Sequence, residues 1–145
     1  MKRIVLFLAA LLMAATTACT AAPPPPPTTD AGESLIAPLG ELIDTDLDIE
    51  AKKALVSGDV DWDAFEYTLE SETEVCTSAT GDGGEYNIAV SVTDPRIVGD
   101  SARATVTVNC VTAGNSMELN FVYENIWKLS SDSFEDFAAL VANAV

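Results

Sequence analysis

ATVTVNC, Ala104 to Cys110, puts Ala104, Val106, Val108 and Cys110 on one side of an extended chain and Thr105, Thr107 and Asn109 on the other. Side chains of a strand point alternately to its two faces, so this pattern marks a strand with one dry and one wet face. Two neighbouring runs repeat it. Ile88, Val90 and Val92 alternate with Ala89, Ser91 and Thr93, and Met117, Leu119, Phe121 and Tyr123 alternate with Glu118, Asn120 and Glu124. Three such runs predict an antiparallel sheet with one buried face. Gly81-Asp82-Gly83-Gly84, Asp94-Pro95, Gly99-Asp100 and Ala113-Gly114-Asn115 carry the turn chemistry around them. Trp127 and Leu129 add a short final strand.

Upstream of the sheet the period changes. Leu35, Leu39 and Leu42 with Ile36 and Ile43 recur at helical spacing, which predicts a helix with Pro38 in its first turn or at its start. Asp48 is a candidate cap for a second helix through Ala51, Ala54 and Leu55, closed by Gly58. Asp61 is a candidate cap for a third, short helix bearing Trp62, Phe65 and Leu69. Downstream, Asp132 and Glu135 form a capping-box pattern before a last helix packed through Phe134, Phe137, Ala138, Val141 and Val145. Helices, then sheet, then a closing helix is the order of an α+β fold, with N-terminal helices and a C-terminal helix packed on the sheet.

The beginning of the chain is an export signal. Lys2-Arg3 precede the apolar run Ile4 to Ala15 and then small residues to Ala18. That run is too short to cross a hydrocarbon core of ~30 Å, so cleavage is expected rather than a membrane anchor. Thr17-Ala18-Cys19 fits the end of a lipoprotein signal, although Thr16 stands where an aliphatic residue is usual. Residues 1–18 then form the signal peptide, and Cys19 takes lipid and attaches the protein to the membrane. The alternative is ordinary cleavage near Ala18, which leaves Cys19 as a free thiol. Pro23 to Pro27 follow, an unbroken run that favours a polyproline II spacer of ~3.1 Å per residue, so residues 19–31 read as lipidated cysteine and tether. One domain is expected over residues 32–145.

Cys76 and Cys110 remain. An exported chain folds in an oxidising space, so one intramolecular disulfide is expected, stabilising by roughly 3–4 kcal/mol; two buried free thiols are the alternative. The formal net charge is -16, which repels phosphate backbones and excludes nucleic acid as a partner. The chain has no histidine, neither cysteine lies in a C-x-x-C pair, and no carboxylate spacing singles out an acid–base pair. No catalytic residue, cofactor or metal is implied. Asp59, Asp61, Asp63 and Glu70 occupy positions of a calcium-binding loop, but Ala64 stands where the loop needs glycine, and Trp62, Phe65 and Leu69 favour a continuous helix.

Lys52-Lys53-Ala54-Leu55-Val56-Ser57-Gly58, Val90 to Asp94, Ala102 to Val108, and Phe121-Val122 with Trp127 to Ser130 are together similar to the mycobacterial and actinobacterial low-molecular-weight secreted antigen family. The resemblance implies a cystatin-like cone, with helices packed inside a strongly curved antiparallel sheet. It also implies secretion or surface attachment and no established enzymatic activity. Cys76, Cys110, the lipid-type cysteine and the acidity depart from the family pattern. The expectation is a surface lipoprotein of the cell envelope whose domain binds an envelope ligand or protein. Trp62, Phe65, Phe121, Tyr123 and Trp127 would line an internal pocket, with ordinary core packing as the alternative for each. The rivals are a small enzyme using carboxylates in the cone, such as an isomerase or hydratase, and a calcium-stabilised adhesion module.

Overall fold

The computed structural model describes residues 31–78, 87–110 and 114–144. The expected leader, Cys19, Pro23 to Pro27, the expected turn at Gly81–Gly84, Ala113 and Val145 lie outside the described residues. Helix α1 spans Ala31–Leu42, α2 Ile49–Lys53, β1 Val56–Ser57, α3 Trp62–Ser78, β2 Ala89–Val98, β3 Ser101–Asn109, β4 Asn115–Glu124, β5 Ile126–Ser130 and α4 Ser131–Ala142. The fold is α+β, as the sequence predicts.

One sheet has the order β1-β5-β4-β3-β2. β2 to β5 pair antiparallel with their chain neighbours, and β1 runs parallel to β5. Ala102, Ala104, Val106, Val108, Leu119, Phe121, Trp127 and Leu129 form the buried face. Onto it pack Leu35, Leu39 and Leu42 of α1, Phe65 and Leu69 of α3, and Phe134, Phe137, Leu140 and Val141 of α4. α1 touches both β2 and β5 but barely touches β3 and β4 between them. In a flat sheet those outer strands would stand about 14 Å apart, more than a helix of ~10 Å covers. The sheet therefore curls around α1, as a cone requires.

The β2–β3 hairpin turns on Gly99-Asp100, with Gly99 at φ 63 in the left-handed region that a tight two-residue loop needs. Asp94-Pro95, in contrast, is no turn. β2 continues through it as a bulge: Thr93 pairs with Thr105, but Arg96 pairs with Arg103, one residue out of step. Asp94 takes φ 50, which Asp tolerates better than most side chains, and Pro95 has no N–H to lose from the ladder.

Other elements also differ from expectation. Pro38 lies inside α1, at the eighth of its 12 residues, where it removes a backbone hydrogen bond. Burial of Pro38 with Leu35, Leu39 and Leu42 offsets that loss. Asp48 caps α2 as expected, accepting from Glu50 N–H at 2.8 Å. The helix stops at Lys53, however, because Val56 and Ser57 pair with Leu129 and Ser130. α3 is 17 residues long and reaches Cys76. α4 starts after Ser130, so Asp132 and Glu135 form no capping box.

The Cys76–Cys110 disulfide is formed, with a Cα–Cα distance of 5.9 Å across a sequence separation of 34. It joins the end of α3 to the residue after β3. Beside it, Cys110 N–H donates to Ala144 C=O at 3.0 Å, so α4 is tied to the same corner.

Candidate ligand-binding cleft

The β4–β5 connection is tight. Glu124 pairs with Ile126 across Asn125, which takes φ 70, a left-handed conformation that asparagine adopts readily. This turn sets Tyr123 opposite Trp127, their rings 5.3 Å apart and edge-on. α1 passes alongside. Between them lies a cleft of about 320 Å³ lined by Ala37, Pro38, Leu55, Tyr123, Ile126 and Trp127, with Ser34, Glu41 and Asn125 at polar positions.

Trp127 is 3% exposed, yet its Nε1–H has no hydrogen-bond partner among the described residues. Buried indole N–H groups usually find one, because an unmade hydrogen bond in a low-dielectric site costs about 1–3 kcal/mol. The Nε1–H is itself shut off from solvent, behind the cleft wall rather than open to it. Ser130 Oγ, three residues on, is also buried with no partner among the described residues.

The five aromatic residues singled out from the sequence fall into three places. Tyr123 and Trp127 form the cleft just described. Trp62 and Phe65 sit on α3 in a second cluster, where Phe134 lies 5.0 Å from each ring and Phe137 lies 6.1 Å from Phe65. Phe65 and Phe134 also line a separate recess of about 330 Å³ with Asp59, Asp61 and Glu135 at its rim. Phe121 is 1% exposed in the core and lines neither space.

The calcium-loop match dissolves into helix. Asp61 Oδ1 accepts from Ala64 N–H at 3.1 Å as the cap of α3, and Asp63 and Glu70 lie on that continuous helix. Among the described residues no group of three or more His, Cys, Asp or Glu side chains could hold a metal ion. No carboxylate among them is buried. Glu124 is held below the usual carboxylate range, first by the Ser57 hydroxyl and then by Lys128, both of which bond its charged form.

Two structural groups carried little sequence signal. Lys52 is fully buried on α2, with its Nζ 2.8 Å from Glu66 Oε1 on α3. Ser133 is buried on α4, and its Oγ accepts from Asn120 N–H at 2.9 Å. β5 pairs with β4 only as far as Phe121 opposite Leu129. Ser133 thus satisfies a β4 amide where the pairing ends.

No helix among the described residues is long and apolar enough to cross a membrane. No curated protein matches the chain. Residues 25–144 match the family described as low molecular weight antigen MTB12, C-terminal domain, a span that includes every element of the fold and both walls of the cleft. With that match over most of its length, the chain belongs to the low molecular weight antigen MTB12 C-terminal domain family.

Proposed function

We propose that this protein is an extracytoplasmic lipoprotein whose single domain is a non-catalytic binding module of the secreted antigen type. Residues 1–18 are its signal peptide, Cys19 carries the lipid, and Pro23 to Pro27 space the domain from the membrane. The ligand enters the cleft between α1 and the β4–β5 turn. One observation carries this reading: an open, mostly apolar cleft is walled by the paired Tyr123 and Trp127 rings, with Ser34, Glu41 and Asn125 at its polar positions. A ligand's apolar surface leaves water as it packs against these rings, while its polar groups meet Ser34, Glu41 and Asn125. The other partner is the membrane itself, through the lipid, while the strongly acidic surface disfavours nucleic acid.

Two measurements test this. Mass spectrometry of the protein from its native membrane should find an N-terminus at Cys19 bearing diacylglyceryl; an unacylated Cys19 removes the anchor. For the cleft, amide and indole resonances are followed while dihexanoylphosphatidylcholine is added below its micelle concentration. Saturable shifts are expected at Tyr123, Asn125, Ile126 and the Trp127 indole, with the Trp62 indole as internal control. Silence at Trp127 would remove the cleft from the argument.

A further inference from the structure

Arginine is scarce in this acidic chain. Arg3 lies in the leader, and Arg96 and Arg103 are the others. The fold brings those two together, for they are direct cross-strand partners in β2 and β3. Side chains so paired project from the same face with Cβ atoms ~5 Å apart, and like charges in that position repel. The bulge creates the pairing. Continuing the Thr93–Thr105 register unbroken would set Arg96 opposite buried Ala102, on the inner face. The extra residue at Asp94, held at φ 50, turns Arg96 outward to face Arg103 instead.

Of the two, only Arg103 has a carboxylate beside it among the described residues. Lys52, Lys53, Arg103 and Lys128 each pair with a carboxylate. Arg96, among the described residues, has no such partner, although acidic residues outnumber basic ones 23 to 7 in the chain. Arg103 is steered by Nη1 to Glu118 Oε1 at 3.2 Å and by Nε to Asn120 Oδ1 at 3.2 Å. Arg96, Arg103, Ser101, Asn120 and the highly exposed Val98 line a shallow recess of about 300 Å³ on this outer face.

We propose that the Arg96–Arg103 pair is a binding site for a phosphoryl group. The Arg96 fork, together with the N–H groups that Arg103 does not give to Glu118 and Asn120, can donate to one tetrahedral anion, which also cancels the repulsion between the two cations. The site is separate from the cleft at Trp127 and does not depend on it. The phosphoryl group belongs either to a soluble phosphate compound or to a lipid headgroup.

The test uses the mature chain with Cys19→Ser, so that no acyl group ties it to vesicles. Arginine Nε–H resonances are followed as inorganic phosphate is added against chloride at matched ionic strength. Saturable shifts of both arginines with phosphate alone are expected. Arg96→Gln should weaken the Arg103 response at least about tenfold, while Lys53→Gln leaves it unchanged. Co-flotation with phosphatidic acid/phosphatidylcholine vesicles, lost in Arg96→Gln, assigns the group to a lipid headgroup. Phosphate binding without flotation assigns it to a soluble compound. Linear shifts, or a response equal in Arg96→Gln, overturn the site.

Discussion

The Lys52–Glu66 contact makes an asymmetric prediction. The ammonium is fully buried, whereas the carboxylate is 32% exposed, and their separation is 2.8 Å. Removing one partner from a fully buried pair costs about 3–5 kcal/mol, because the other is stranded without water. Here only the lysine is so stranded, and water at Glu66 lessens the loss. Glu66→Gln, which keeps the shape and strips the charge, should therefore cost about 2 kcal/mol. For a domain of this size that is a fall of roughly 8 °C in Tm. Lys52→Met keeps an unbranched apolar stem in the same space and releases Glu66 to solvent. It should cost less than about 0.5 kcal/mol, or stabilise slightly. The double variant should resemble Lys52→Met, since the two changes share one interaction. Urea unfolding at pH 7 with the disulfide intact measures all three. If Lys52→Met loses as much as Glu66→Gln, the stranded-charge argument fails.

Three more outcomes are expected. Replacing both Cys76 and Cys110 by serine opens a link across a separation of 34 residues, so stability should fall by about 4 kcal/mol in the chain-entropy model; a loss under about 1 kcal/mol in thermal melts would count against it. Gly58 has φ +110, and a Cβ there would meet Ser131 Oγ at 2.9 Å. Gly58→Ala should cost about 1–3 kcal/mol, and adding Ser131→Ala should recover only part of that, because the backbone strain stays. Glu124 has a lowered folded-state pKa, so its contribution is present above the unfolded carboxylate range and disappears as pH falls through the folded value. Glu124→Gln should thus be less stable than wild type at pH 7, by under about 1 kcal/mol for so exposed a group, and indistinguishable from it near pH 2; a constant gap across that range would refute the assignment.

Local features were legible wherever their cause is local. Alternation over Ala104–Cys110 and its neighbours announced three strands because side-chain direction follows from backbone geometry. The caps Asp48 and Asp61 act within three residues of themselves, and both were readable. The α+β order, the Gly99-Asp100 turn, the disulfide and the family were likewise written in the chain. The five candidate aromatics were chosen by type alone, which could not tell Phe121 in the core from Tyr123 at a cleft.

Tertiary structure decided what depends on residues far apart in the chain. β1 spans only Val56 and Ser57, too short to show any period, and exists because β5 offers it a parallel edge. Asp94-Pro95 has the chemistry of a turn, yet β3 pairs with β2 on both sides of it and turns the break into a bulge. That single-residue offset selects the face on which Arg96 emerges. Lys52 looks like a surface residue until α3 brings Glu66 across it, and Trp127 Nε1–H is buried by packing that gives it no partner among the described residues. Periodicity and capping act over a few residues, whereas register, burial and unmet hydrogen bonds are set by distant segments packing together.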